Sequence, residues 1–140
     1  MSKTYVTAAL RRLVCERAHY ACEYCLTPEI AVLIPHQIDH VIAEKHGGQT
    51  NEENLALACT LCNKHKGSDL SSIDPSSGET VRLYRPRGDL WHVHFQFKEG
   101  KILPQTAIGR VTVRLLQINL PERVEERKVL SQANVLRNGL

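Results

Sequence analysis

The sequence predicts an α+β fold, and three patterns along its 140 residues lead to this class. The opening segment repeats apolar side chains at helical spacing. The middle of the chain contains short apolar runs separated by Gly- and Pro-containing turns, a pattern typical of β-strands. The closing segment returns to helical spacing over residues 109–120 and 121–135, with Pro121 in the first turn of the second helix.

The first helix is expected within residues 4–19, where Thr4 or Thr7 can cap the free backbone N–H groups. The apolar runs IAVLI and IDHVI, at residues 30–34 and 38–42, are expected to form strands separated by a proline. The chain therefore starts with a helix that is followed by two strands.

A turn, a short strand and a second helix complete this region. The turn HGGQ at residues 46–49 contains two glycines, a residue type that can adopt positive φ at no steric cost. Residues 54–58 are expected to form either a short strand or a bridge into residues 59–67, which are expected to form a helix that ends at Gly67.

The second half of the chain is expected to begin with a turn-rich loop at residues 71–80. Strands are then expected at residues 81–84, 91–97 and 101–104. The run WHVHFQF alternates apolar and polar side chains, so one face of this strand should be buried. Its polar face carries His92, His94 and Gln96.

Four of the five cysteines form two Cys-x-x-Cys pairs, at Cys22, Cys25, Cys59 and Cys62. Thiolates at this spacing can point at one cation, and two pairs supply the tetrahedral set of a structural zinc site. Buried free cysteines and a redox pair are the alternatives, but neither pair has a thioredoxin-like strand–helix context. We therefore expect a structural zinc ion, whose ligand shell the four thiolates close.

Four polar residues near these pairs need a different explanation: Asp39, His40, Asn54 and Asn63. Histidine can take a proton from water near neutral pH, and aspartate is a hard oxygen ligand for a divalent cation. Adjacent on a strand, Asp39 and His40 are expected to face opposite sides. Asn54 can either pin the loop or orient the imidazole. A cysteine pair that holds Asn63 opposite Asp39 would create an oxygen-lined cation site with room for water and phosphate.

The run DHVIAEKHGGQTNEENLALACTLCNKHKG resembles the ββα-metal motif of HNH nucleases, and the cysteine frame is similar to the zinc-stapled branch of that family. The resemblance implies a ββα-metal core at residues 20–70, with a four-cysteine zinc site and flanking helices. Two later segments, weaker in their match, resemble an extension of small bacterial HNH proteins. The whole of residues 1–140 is then expected to be one nuclease domain, in which residues 71–140 add a small β/α extension.

The resemblance also implies a role for each polar residue. By position, His40 is the general base, and Asp39 and Asn63 are ligands of the catalytic cation. Asn54 is the central Asn that shapes the loop. The last motif position is often His, so Asn63 makes this an HNN variant. An all-oxygen ligand set favours Mg²⁺ or Mn²⁺ over softer metals, and zinc is expected to be structural only.

Basic residues follow the motif, since residues 64–114 carry nine Lys/Arg and five Asp/Glu. We expect some of them to contact phosphates, because contacts to the nucleic-acid backbone are mostly made by Lys and Arg. The candidates are Lys64, Lys66, Arg82, Arg85 and Arg87. The expected partner is nucleic acid, in the form of double-stranded DNA, and no base-reading element is identifiable.

The sequence also argues against a membrane role. No apolar run reaches the ~18 residues of a membrane span. The first residues lack the features of a signal peptide, so a cytoplasmic location is expected, in which thiols stay reduced.

These observations predict a metal-dependent HNH endonuclease that hydrolyses phosphodiester bonds, and the resemblance implies 5′-phosphate and 3′-hydroxyl products. Two alternatives come from other classes. A non-catalytic, zinc-stapled nucleic-acid-binding module needs the cysteines and the basic residues but has no use for His40. A zinc-stapled protein-interaction domain needs neither Asp39 nor Asn63 and should expose an apolar patch.

Overall fold

The computed structural model of the chain describes residues 5–136, so the candidate cap Thr4 lies outside the described residues. Helices and short two-stranded sheets alternate along the chain, as expected for a mixed α and β protein. The helices are α1 (Ala8–Arg17), α2 (Thr60–Lys66), α3 (Trp91–His94), α4 (Ala107–Leu115) and α5 (Pro121–Gln132). The strands are β1 (Gln37–His40), β2 (Leu55–Ala58), β3 (Ser71–Ile73), β4 (Thr80–Arg82), β5 (Phe95–Lys98) and β6 (Lys101–Pro104).

Helix α1 starts after Thr7, whose hydroxyl accepts a hydrogen bond from the Leu10 amide at 3.1 Å. This bond satisfies one of the free N–H groups at the start of the helix. On the inner face of α1, the buried residues Val14 and Cys15 pack with Leu55 of β2. The helix therefore packs against the strand that follows the predicted catalytic loop.

Strands β1 and β2 are antiparallel, with Asp39 opposite Ala56 and His40 opposite Leu55. Every residue of β2 is buried, so one side of this hairpin is held in the interior. Helix α2 follows β2 directly, and the Cys59 sulfur accepts a hydrogen bond from the Cys62 amide at 3.4 Å. The second cysteine pair thus forms the start of α2.

The predicted strand at residues 30–34 is wrong. A 3₁₀ turn occupies Glu29–Ala31, and Leu33 beyond it is fully exposed. Strand backbone groups need a partner strand, and none of the described strands pairs with this segment. The Glu29 carboxylate instead accepts a hydrogen bond from the His36 amide at 2.7 Å and closes the segment into a loop.

The loop predicted at residues 71–80 is a β-hairpin, in which β3 pairs with β4. The Asp74 carboxylate organises its turn by accepting hydrogen bonds from the Ser76 amide at 3.1 Å and the Ser77 hydroxyl at 3.0 Å. Arg110 of α4 donates two further hydrogen bonds to the same carboxylate, both at 2.9 Å. The hairpin is consequently tied to α4.

The predicted strand at residues 91–97 is partly wrong, because α3 forms one helical turn before β5 begins. Side chains on a helix do not alternate between two faces. Val93 is therefore half exposed, whereas His94 is buried with its Nδ1 atom 2.7 Å from the Thr106 hydroxyl. His94 and His92 do not share a polar face as expected.

The main core surrounds the cysteines. Tyr24, Trp91 and Phe95 pack with Ile118 and Leu136 in one buried cluster that contains all four paired cysteines. The core thus joins the first third of the chain to its last helices. None of the helices in the described part of the chain has the length and apolar character needed to cross a membrane.

Candidate metal centre and catalytic cavity

The four paired cysteines converge on one point in the core. Their sulfur atoms all lie within 4.8 Å of one another, and all four residues are buried. In a tetrahedral zinc site with Zn–S bonds of about 2.3 Å, the sulfurs are about 3.8 Å apart. The Cys25 and Cys59 sulfurs are 3.7 Å apart. The cluster therefore fits a zinc ion held by both pairs.

Arg123 of α5 supplies positive charge to this cluster. Its guanidinium donates a hydrogen bond to the Cys62 sulfur at 3.1 Å and approaches the Cys59 sulfur at 3.7 Å. It also donates to the main-chain carbonyls of Leu116 and Gln117, at 2.8 and 2.9 Å. Burial acts to lower the pKa of Arg123, but the charges of Cys62 and Cys25 outweigh it and raise the pKa. Since metal binding requires thiolates, a fixed cation beside two of them favours the metal-binding form.

A second feature is a cavity of about 400 Å³ between β1 and α2. Asp39, His40 and Asn63 all line it. The structure thus brings together three of the four polar residues singled out in the sequence. Asp39 and His40 border the same cavity, whereas their strand positions predict opposite faces.

Asp39 is a buried carboxylate, only 4% exposed, at the base of the cavity. One of its oxygens accepts a hydrogen bond from the Tyr24 hydroxyl at 2.8 Å, and the other lies 3.2 Å from the Lys66 ammonium. Burial raises the pKa of Asp39, against the lowering effects of Lys66 and Tyr24. Burial and the Asp39 charge raise the pKa of Tyr24 well above its usual value, so this phenol remains a donor.

Lys66 differs from its expected position. The sequence predicts that it projects from α2 toward phosphate, but it is 2% exposed. Its ammonium bonds Asp39 and also donates to the His40 carbonyl at 3.1 Å. The physical reason is charge pairing, because a buried carboxylate without a cationic partner is very costly.

His40 lies half-buried at the edge of the cavity. Its Nε2 atom is 2.8 Å from the Thr50 hydroxyl oxygen. This contact occupies one ring nitrogen and leaves Nδ1 as the other nitrogen that can exchange a proton.

Asn54 does not line the cavity but holds the loop above it. Its side-chain oxygen accepts a hydrogen bond from the Ile42 amide, and its side-chain nitrogen donates to the Ile42 and Gln49 carbonyls, all at 2.9 Å. Of the two roles open in the sequence, the structure shows the pinning of the loop. The same loop requires glycine at position 48, because a Cβ on Gly48 would lie 1.7 Å from the Ile42 carbonyl oxygen.

Asn63 reaches the cavity from α2. Its side-chain nitrogen donates to the Gln37 side-chain oxygen on β1, which leaves its own amide oxygen as a ligand atom. Asp39 and Asn63 line the same cavity, and each Asp39 oxygen keeps a lone pair beyond its present hydrogen bond. This donor set fits a hard cation that keeps several water ligands, as Mg²⁺ does.

The other basic residues expected to contact phosphate differ in their exposure and in their ion pairs. Lys64 is exposed, and Arg85 is half-buried. The Arg82 guanidinium donates two hydrogen bonds to Asp89, at 2.8 and 3.0 Å. Arg87 forms an ion pair with Glu23. To bind a phosphate, the guanidinium of Arg82 or Arg87 would therefore have to leave its present carboxylate partner.

Two residues of the site, Tyr24 and Thr50, have no distinct signal in the sequence, and Lys66 stands out there only as a candidate phosphate contact. Lys66 follows Asn63 by one helical turn, and this spacing alone places both on one face of α2. Tyr24 lies between the cysteines of the first pair, where the packing of the metal centre directs it toward Asp39. The position of Thr50 depends on the turn that Asn54 holds.

Residues 22–69 of the chain match the family model described as HNH endonuclease. The matched segment contains both cysteine pairs, the β1–β2 hairpin, the loop between the two strands and α2. The match confirms the resemblance found in the sequence and indicates a nuclease-type function. No curated protein and no solved structure gives a significant match to the chain.

Proposed function

We propose that this protein is a metal-dependent endonuclease that hydrolyses phosphodiester bonds in double-stranded DNA. The observation that carries this proposal is the single cavity lined by Asp39, His40 and Asn63. It combines a group that can accept a proton from water with two oxygen ligands for a cation. The HNH match over residues 22–69 supports the same assignment.

In this proposal β1, β2 and α2 are the ββα-metal core, and residues 1–140 form one domain with an extension after residue 70. The shared core supports this arrangement, because residues as late as Ile118 and Leu136 pack with the paired cysteines. The zinc-bound cysteines then hold the start of α2 against the segment that carries Cys22 and Cys25, and they take no part in the reaction.

His40 acts as the general base and removes a proton from the attacking water. Asp39 and Asn63 hold Mg²⁺ or Mn²⁺ through oxygen atoms. When bound, such a cation stabilises the charge that develops on the phosphate and on the leaving oxygen. Tyr24 and Lys66 orient the Asp39 carboxylate and favour its ionised form against the effect of burial, since each donates to one of its oxygens.

Exposed basic side chains close to the core are proposed to contact the DNA backbone. Lys64 lies on α2 one residue after Asn63 and is exposed, so its ammonium is available to a phosphate. Arg85 has no side-chain ion pair with Asp89, in contrast to Arg82, which bonds that carboxylate. Lys64 and Arg85 are therefore the first candidates, and Arg82 and Arg87 the second.

The decisive experiment compares the wild type with His40→Ala in cleavage of a labelled duplex with Mg²⁺ or Mn²⁺. General-base catalysis typically contributes about 10²–10⁴-fold to a rate, so cleavage by His40→Ala should nearly disappear. His46→Ala is the matched control, because His46 is exposed on the loop that follows β1 and has no proposed role. This control should cleave like the wild type.

Zinc content and DNA affinity in Ca²⁺ should be the same for all three proteins. Wild-type cleavage by His40→Ala would show that His40 is not the base. Binding without cleavage by every protein would favour the non-catalytic nucleic-acid-binding module instead. Cleavage that persists in EDTA, with zinc still bound, would contradict a catalytic cation.

A further inference from the structure

We infer that Thr50 is a positioning residue whose hydroxyl accepts a hydrogen bond from His40 Nε2–H, so that Nδ1 is the atom that removes the proton from water. The inference rests on the proposed function, because it assigns atoms within that site. It starts from the 2.8 Å separation between the Thr50 hydroxyl oxygen and His40 Nε2.

The chemistry of imidazole allows this contact two arrangements, and the proposed function distinguishes them. A neutral imidazole has one N–H donor and one nitrogen acceptor, and a hydroxyl can bond to either. If Thr50 donated to Nε2, Nδ1 would carry the hydrogen and neither nitrogen could take a proton from water. If Nε2–H donates to Thr50, Nδ1 has a free lone pair. Only the second arrangement permits general-base catalysis by His40.

The hydrogen bond of the second arrangement is also kept when the ring becomes protonated. Protonation at Nδ1 gives an imidazolium in which both nitrogens are donors. The hydrogen bond from Nε2–H to the Thr50 oxygen is then present before and after proton transfer, and the ring need not turn. A group that is held in one orientation throughout the step avoids the cost of reorganisation.

The loop that carries Thr50 is itself fixed in place. Asn54 donates to the carbonyl of Gln49, the residue just before Thr50, and binds the Ile42 backbone through both side-chain atoms. Gly47 adopts a φ of 92°, which suits glycine. Asn54 therefore acts on His40 through Gln49 and Thr50, and not by touching the imidazole.

The test uses three variants of the full chain. Thr50→Val removes the hydroxyl but keeps the branched shape, whereas Thr50→Ser keeps the hydroxyl. Thr80→Val is the control for a Thr→Val change at an exposed position of β4. We expect Thr50→Val to lower kcat about 10- to 100-fold, a loss typical of an orienting partner. Thr50→Ser and Thr80→Val should stay within a few-fold of the wild type, and DNA affinity in Ca²⁺ should not change.

A second readout does not depend on activity. Nitrogen NMR of ¹⁵N-histidine-labelled protein, assigned with His40→Ala, reports which ring nitrogen of His40 carries the hydrogen at a pH where the ring is neutral. We expect the Nε2–H tautomer in the wild type and in Thr50→Ser, and a mixture of tautomers in Thr50→Val. The wild-type spectrum alone tests the inference if Thr50→Val does not fold.

The Nδ1–H tautomer in the wild type would overturn the inference. So would a Thr50→Val protein with wild-type kcat, or a Thr50→Ser protein as impaired as Thr50→Val. These failures differ from a failure of the proposed function. If His40→Ala retains full cleavage, the proposed function is wrong whatever the tautomer. If His40→Ala is inactive and the tautomer result is negative, only the role of Thr50 is wrong.

Discussion

Asp39 shows how a single buried charge is stabilised in this protein. The carboxylate is 4% exposed and the Lys66 side chain is 2% exposed, so neither group is well hydrated. Their 3.2 Å contact and the Tyr24 hydroxyl replace the lost water. Breaking a buried pair by removing one partner is much more costly than losing a surface ion pair.

We expect Lys66→Met to lower the free energy of unfolding by about 3–5 kcal/mol, because Asp39 remains buried without its cation. Lys64→Met is the matched control on the same helix, and as an exposed substitution it should change stability by less than about 0.5 kcal/mol. Urea denaturation followed by circular dichroism measures both. The double variant Asp39→Asn/Lys66→Met should regain part of the loss, and equal stability of Lys66→Met and wild type would contradict the pairing.

At this scale the sequence identifies three polar residues that line the cavity, but not the residues that support them. Asp39, His40 and Asn63 stand out because their residue types and order have few structural explanations together. Lys66 has the pattern of a surface lysine, since lysine is rarely buried and nothing in its neighbours reveals a buried carboxylate 27 residues away. Such partners become visible only when the tertiary structure places them together.

Among the elements, the loop between β1 and β2 depends on close backbone packing at Gly48. We expect Gly48→Ala to displace the loop and to lower cleavage, because its Cβ would overlap the Ile42 carbonyl and approach the Asn54 side chain within 2.8 Å. Gly88→Ala is the control, since its Cβ would meet no atom within 4 Å. Thermal denaturation and duplex cleavage measure the effect, and wild-type behaviour of Gly48→Ala would show that the loop is not held as described.

The β3–β4 hairpin is attached to α4 through a charge whose ionisation depends on pH. Arg110 hydrogen bonds hold the pKa of Asp74 well below its usual range. A lowered native pKa means that the stabilisation is complete above the unfolded pKa of about 3.9 and is lost as pH falls below it. We expect the wild type to lose stability below about pH 4 more steeply than Asp74→Asn. Urea midpoints between pH 2 and 6 test this, and parallel curves would contradict it.

The sequence predicts the ends of helices reliably where a capping residue, a proline or a glycine marks them. Thr7 as a cap, Pro121 in the first turn of α5 and Gly67 after α2 are all expected, and the structure has each of them. The apolar run at residues 30–34 misleads, because hydrophobicity alone does not show whether a strand has a partner. The β3–β4 hairpin is predicted only in part, because the strand expected at residues 81–84 overlaps β4, whereas the three-residue β3 is expected to be loop.

For the whole molecule, the cysteine cluster is the point at which the distant parts of the chain meet. We expect one zinc per chain by elemental analysis, and loss of zinc together with the cooperative unfolding transition in Cys59→Ser, because structural zinc contributes directly to folding. Cys15→Ala is the control, since Cys15 is buried outside the cluster. It should keep its zinc. A folded, zinc-free wild type would contradict the assignment.

The overall α+β class and the convergence of the two cysteine pairs are accessible from the sequence, because Cys-x-x-Cys spacing is a strong local signal. The contribution of α5 to the cysteine cluster is not accessible from the sequence. Arg123 has the pattern of an ordinary surface residue in a charged helix, and only the tertiary structure places it against Cys62, which is 61 residues away.

This separation has a consequence for the rates of folding and unfolding. Contacts between residues close in sequence form with little loss of chain entropy, whereas long-range contacts form at a greater entropic cost. We expect the β1–β2 hairpin to belong to the folding nucleus and the Arg123 contact to form after the rate-limiting step. Arg123→Gln should then accelerate unfolding in stopped-flow measurements and leave the refolding rate nearly unchanged. Helix α5 would thus determine how long a folded molecule persists, and the β1–β2 hairpin how quickly a new molecule folds.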